Sequence, residues 1–136
     1  MDYHVTARRV DDHGGLACTK QAEIVLDTDL KGRADAFNPV ELLLAALAAC
    51  MLKGAERMIP LLDFRIEGVE IALTGSRQDA PPKLTRITYE IVIDSDESDH
   101  RLRLLHKNIL KYGTISNTLS GALTLTGSLR RKDNHG

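Results

Sequence analysis

The sequence predicts one α+β domain spanning residues 1–136, with elements in the order β-β-α-β-β-α-β. Three observations carry that prediction. Residues 42–52 are an unbroken apolar run inside a helix-length segment. Residues 84–93, LTRITYEIVI, alternate so that Ile87, Tyr89, Ile91 and Ile93 share one face of a strand. No domain-scale linker or repeat interrupts the 136 residues, a length that suits one domain and buries a core without disulfide or metal staples.

Residues 3–10 and 16–26 read as two strands, with His13-Gly14-Gly15 as a glycine-containing hairpin turn between them. Residues 29–38, DLKGRADAFN, form a polar loop. Asn38 then serves as an N-cap, Pro39 takes the first helical position and Glu41 complements the dipole from the first turn. The helix is predicted to run to about Met58 and stop before Pro60. Because its middle is apolar on every side, it needs cover all round, and one small sheet covers only one side. A second copy of the chain is the simplest further cover, so a homodimer is expected. Residues 66–77 make a strand, 78–83 a turn with two prolines, and 84–93 the alternating strand. SDESDH opens a second helix carrying Leu102, Leu105, Ile109 and Tyr112 on one face, with Gly113 as its C-terminal cap. Residues 116–121 offer a further helical turn, 122–129 a last strand, and RRKDNHG a frayed tail.

Composition narrows the function classes. Lys and Arg number 18 against 19 Asp and Glu, which gives no reason to expect nucleic acid or an anionic membrane as partner. Without tryptophan, and with only three Tyr and two Phe, there is little on which bases could stack. The N-terminus MDYHVTARR lacks an apolar signal region, and the 11-residue apolar run falls short of a membrane span. A cytoplasmic protein is expected, and in that reducing compartment its two cysteines are free or redox-active rather than staples. The five histidines (4, 13, 100, 106 and 135) have no metal-ligand spacing, and no phosphate-binding glycine loop is present. Neither a cofactor nor a metal is expected.

FNPVELLLAALAACM (37–51), PPKLTRITYEIVI (81–93) and KYGTISNTLSGALTLTG (111–127) follow one another along the chain. In that order the three segments resemble the OsmC/Ohr family of osmotically inducible and organic hydroperoxide resistance proteins. The resemblance covers nearly the whole chain. It implies an OsmC-like fold, an intertwined homodimer with central buried helices between wrapped sheets. It also implies an antioxidant thiol peroxidase of the oxidative stress response. In such enzymes a helix cysteine attacks an organic hydroperoxide, a second cysteine condenses with the resulting sulfenic acid, and a dithiol resets the site. Cys50 matches the attacking cysteine. The chain departs from the pattern at Gly113, where the second cysteine would fall. It departs again at Val40, where the peroxidase branch has its orienting glutamate and this chain's acid comes one residue later, at Glu41. The activating arginine of the first-strand region corresponds to Arg9 or Arg8; Arg33 lies in the loop that contributes to the pocket rim.

The chemistry constrains each candidate. A thiol titrates ordinarily near ~8.5, and its thiolate is the nucleophile. Cys50 lies too far into its helix to use the N-terminal dipole, so an activated Cys50 needs a cation. The competing reading is a small buried hydrophobe. Glu41 is nine residues from Cys50, about 900° and about 13.5 Å along a straight helix. It therefore either serves as a first-turn acid or approaches the cysteine of a partner chain. Cys18, on a strand, is either a partnerless thiol or, within about 7 Å Cα to Cα, a resolving one. If nothing within the chain resolves Cys50, an external thiol reductant must, because an unresolved sulfenate risks irreversible over-oxidation.

Two functions follow. The first is a thiol-dependent peroxidase that reduces organic hydroperoxides through Cys50, with Arg9 and Glu41 in support. The alternative is an OsmC-like protein without turnover that binds an apolar or thiol-reactive small molecule. A structural dimer with an inert Cys50 is the blandest reading.

Overall fold

The computed structural model describes residues 1–133. It contains six strands and three helices, in the order β1 (Thr6–Asp11), β2 (Gly14–Thr19), β3 (Ala22–Asp27), α1 (Pro39–Leu62), β4 (Gly68–Asp79), β5 (Pro82–Asp94), α2 (Asp99–Lys111), α3 (Thr114–Ser120) and β6 (Thr124–Arg131). The α+β class holds, with one strand more than expected, and the further helical turn read over 116–121 is α3. The chain divides into two compact units, Met1–Leu43 and the remainder from Leu44.

The first unit carries an antiparallel sheet in the order β1-β2-β3. Two hairpins form it, where the sequence predicted one break. The segment read as a single strand over 16–26 turns between Thr19 and Ala22, with Lys20 in the left-handed region at φ 53°. That turn has no Gly, Pro, Asn or Asp to announce it. In the first hairpin Gly14 and Gly15 lie in β2 rather than in the turn. A Cβ on Gly15 would stand 2.7 Å from the Arg8 carbonyl oxygen, so close approach of strands, not turn geometry, requires glycine there. Asn38 and Glu41 form a reciprocal cap at the start of α1. Glu41 N–H donates to Asn38 Oδ1 and Asn38 N–H to Glu41 Oε1, both at 2.9 Å.

The second unit orders its sheet β4-β5-β6, with β5 antiparallel to β4 and parallel to β6. The alternation in β5 does what it predicted: Ile87, Tyr89, Ile91 and Ile93 are all buried. They share the core with Leu47, Met51, Ala55 and Met58 of α1 and with Leu102, Leu105 and Ile109 of α2. Gly54 lets α1 approach Ile109; a Cβ there would sit 3.5 Å from its Cα. Tyr112, expected on the same face, is about half exposed.

α1 does not stop before Pro60 but continues to Leu62. Proline in the last turn removes only one helical hydrogen bond. Phe64 N–H returns to the Ile59 carbonyl at 3.0 Å, and the Arg101 guanidinium donates to the Leu62 and Asp63 carbonyls at 2.6 and 3.1 Å. These contacts satisfy carbonyls that a helix end leaves open. Ser98 caps α2 as its sequence implied, accepting from Arg101 N–H. Gly113 differs from expectation: its φ is −84°, and it stands between α2 and α3 without the left-handed conformation of a glycine cap. Of the tail, Arg130 and Arg131 belong to β6, while residues 134–136, His135 among them, lie outside the described residues. Among the described residues no helix is long and apolar enough to cross a membrane.

Candidate active site

Cys50 lies in the middle of α1, half-buried, as a free thiol. Successive helix residues advance by about 100°, which puts Ala46, Lys53 and Arg57 within about 60° of Cys50 around the axis. The four residues make one stripe. That stripe forms a wall of a cleft of about 720 Å³, closed on the other side by Tyr112, Thr114 and Ile115. The cleft is apolar on the Ala46 side of Cys50 and cationic on the Lys53 side. Lys53 and Arg57 line the same cleft as the thiol. Arg57 is held by a hydrogen bond from its Nη1 to the Tyr112 carbonyl at 3.2 Å. Among the described residues it forms no ion pair. Glu56 adds one acid to the cleft wall.

Behind the thiol stands the junction of α2 and α3. A Cβ built on Gly113 would lie 3.1 Å from Cys50 Sγ, 2.9 Å from Ser116 Oγ and 2.9 Å from the Ile109 carbonyl oxygen. In a disulfide the sulfur of one residue lies about 3 Å from the Cβ of the other, given an S–S bond of about 2.05 Å. The position where the resemblance puts a second cysteine is therefore at bonding range of Cys50, and here it holds no side chain. Ser116 is 3% exposed, and its hydroxyl is buried with no hydrogen-bond partner.

The remaining sequence candidates belong to the first unit. Glu41 spends Oε1 on the cap described above. Arg8 and Arg9 are exposed on the edge strand β1, opposite Leu16 and Gly15. Arg33 donates to both carboxylate oxygens of Asp35, at 2.6 and 2.9 Å. The guanidinium holds the Asp35 carboxyl down at about 2, and that hydrogen-bonded carboxylate raises Arg33 above its ordinary value. Cys18 Sγ donates to Glu23 Oε2 across the β2–β3 pair at 3.6 Å. No group of three or more His, Cys, Asp or Glu among the described residues is placed to hold a metal ion.

Sequence reasoning searched the arginines of the first unit and missed Lys53, Arg57 and Ser116. The first two were legible, because their spacing of three and seven from Cys50 is helical spacing. Ser116 was not, because its closeness to Cys50 depends on how α3 docks.

The model of the OsmC-like protein family matches residues 32–127. A hydroperoxide reductase of Mycoplasma pneumoniae is 32% identical over 127 residues, covering 90% of each chain. The crystal structure of an OsmC-like protein from Mycoplasma pneumoniae has a TM-score of 0.89 at 29% identity, covering 98% of this chain and 99% of that one. An organic hydroperoxide resistance protein from Legionella pneumophila shares the fold, with a TM-score of 0.74 at 21% identity over 93% and 96% of the two chains.

Proposed function

Since the chain belongs to the OsmC-like protein family, we propose that it is a thiol-dependent peroxidase that reduces organic hydroperoxides through Cys50. The Cys50 thiolate attacks one peroxide oxygen. An S–O bond forms and the O–O bond breaks. Sulfur is oxidised by two electrons to the sulfenic acid, and the alkoxide leaves and is protonated to the alcohol. A thiol then condenses with the sulfenic acid, releasing water and leaving a mixed disulfide. A second thiol frees Cys50 and departs as the external disulfide. With Gly113 where a second cysteine would stand, both reducing equivalents come from outside the chain. One observation carries this reading: a half-buried free thiol sits at the boundary between the apolar and cationic halves of a cleft large enough for a small organic molecule.

Arg9 is assigned to the thiolate as its activating cation, and Glu41 as the acid that orients it. Lys53 and Arg57 supply positive charge from the same helix as Cys50. Glu41 is half a turn out of phase with Cys50 on its own helix, so the assignment requires the partner chain in a homodimer. Exposed Val10, Ile24 and Val25 in the first sheet and Leu52 on α1 support such an assembly. The sequence-based expectations of a cytoplasmic location and a single OsmC-like domain belong to the same proposal.

The test is hydroperoxide consumption by wild type and by Cys50→Ser, with cumene hydroperoxide and hydrogen peroxide, each with a dithiol and with a monothiol. Consumption by wild type that drops at least 100-fold in Cys50→Ser is expected. Gly113 also favours a second reading, an apolar-ligand binder without turnover. Wild type inert with every reductant would leave that reading standing alone.

A further inference from the structure

We propose that Ser116 receives the sulfenic oxygen of Cys50, holding the oxidised thiol by a hydrogen bond until an external thiol arrives. The proposal rests on the peroxidase reading and adds a residue to it. Ser116 Oγ and Cys50 Sγ both lie within 3.1 Å of the point that a Gly113 Cβ would occupy. They flank one small space between α1 and the α2–α3 junction. The Ser116 hydroxyl is fully buried and has no partner. A buried hydroxyl without a hydrogen bond is destabilising, so its presence calls for an explanation.

Of the three other hydroxyls of α3, Thr114 is exposed and two are hydrogen-bonded within the helix. Thr118 Oγ1 donates to the Thr114 carbonyl at 2.8 Å, and Ser120 Oγ to the Asn117 carbonyl at 3.2 Å. Such back-bonding is the ordinary way for a helical hydroxyl to be satisfied. The Ser116 hydroxyl has no such bond and lies beside the Gly113 backbone that Cys50 Sγ also approaches. Oxidation of Cys50 adds an acceptor there. The new oxygen is one bond farther out than Sγ, and rotation about the Cβ–Sγ bond sweeps it toward Ser116. A hydroxyl donating to a sulfenate oxygen is a charge-assisted bond, stronger than a neutral one. It withdraws electron density from the sulfur that a second peroxide would attack. That second attack forms another S–O bond, breaks another O–O bond and yields the sulfinic acid, which thiols do not reduce. A chain with no cysteine at 113 needs this protection longer than one in which a neighbouring thiol traps the sulfenate at once.

The experiment treats reduced wild type and Ser116→Ala with successive equivalents of cumene hydroperoxide in the absence of thiol. Intact mass follows the gain of one and then two oxygens, and dimedone labelling identifies the first product as a sulfenate. The readout is the ratio of the second oxidation rate to the first within each protein. Ser116→Ala is expected to raise that ratio about tenfold, the scale of one charge-assisted hydrogen bond. Its reduced form is expected to melt at or above wild type, because an unpartnered buried hydroxyl has been removed. An unchanged ratio overturns the proposal. So does a lower melting temperature, which would give Ser116 a structural partner. If wild type gains no oxygen at Cys50, the peroxidase reading itself fails and takes this proposal with it.

Discussion

In the sheet of the first unit Val10, Ile24 and Val25 stand 52%, 50% and 46% exposed, whereas in the sheet of the second Ile87, Ile91 and Ile93 are fully buried. Neighbours Ile24 and Val25 point to opposite faces of their strand, so the first sheet is open on both. What pins the first unit is polar. Asp27, itself buried, accepts the backbone N–H groups of Asp29 and Arg33, His13 lies 2.7 Å from Asp29, and Arg33 grips Asp35. The second unit has polar ties of its own, such as Arg101 to the Leu62 and Asp63 carbonyls, but adds to them a common apolar core supplied by three helices and a sheet. The cysteine was placed on the part of the molecule that carries its own core, which is where a reactive group can be held in fixed geometry. The other part leaves apolar side chains exposed.

The sharpest contrast is expected from truncation. Ile91→Ala empties a fully buried site and should cost about 2–5 kcal/mol, read as a lower urea midpoint. Ile24→Ala, half exposed in the first sheet, should fall within about 0.5 kcal/mol in the separated chain. Comparable losses at the two positions would break the distinction between the units.

A cysteine at position 113 tests how fixed the second unit is around Cys50. Gly113→Cys should close a disulfide with Cys50 under mild oxidation, detected as loss of one free-thiol pair by alkylation and mass. The oxidised variant should gain about 2 kcal/mol, the low end of the disulfide scale. The full value is not expected, because the new Cβ meets the Ile109 carbonyl at 2.9 Å and the junction must shift slightly. Failure to oxidise would mean that the α2–α3 junction does not hold position 113 against the thiol.

How much of this was readable beforehand follows the same division. The core of the second unit is periodic: alternation gave β5, and helical spacing gave Leu102, Leu105 and Ile109. The start of α1 was written in Asn38, Pro39 and Glu41, which close on one another locally. The turn at Lys20 was not readable, since a lysine in left-handed conformation has no compositional signature and the pairing of β2 with β3 imposes it. The end of α1 was misread because Arg101, 39 residues beyond Leu62, supplies the contact that carries the helix past Pro60. For the site, Cys50 was visible from its motif. The space shared with Gly113 and Ser116 was hidden, because it joins residues more than sixty positions apart.

The exposed apolar surface makes a smaller prediction. Ile24→Asp puts a charge on the open sheet without touching the second unit. Sedimentation velocity should then show wild type as a dimer and the variant shifted toward the monomer, with the core signal of near-ultraviolet circular dichroism retained. A variant that sediments like wild type would mean that this surface is not the covered one.

The smallest effect expected is a pair of opposite pH dependences. His13 is raised by its hydrogen bond to Asp29, with Asp12 adding to the effect. A histidine raised in the folded state contributes stability fully below its unfolded value of about 6.5 and loses it as pH rises through the folded value. His106 is lowered because burial beside Tyr89 disfavours its charge; the two groups meet at 2.6 Å between Tyr89 Oη and His106 Nε2. There the unfolded chain takes up the proton first, so stability falls as pH drops below about 6.5 toward the folded value. Urea midpoints measured from pH 5 to 8 should therefore separate the two. His106→Gln should remove loss on the acid side, and His13→Gln should remove loss on the alkaline side. The acid-side change should be the larger, because His106 is partly buried and screened less than the solvent-exposed His13 pair. Equal and parallel changes would show that the two histidines report the net charge of the chain rather than the polar ties of one unit and the apolar core of the other.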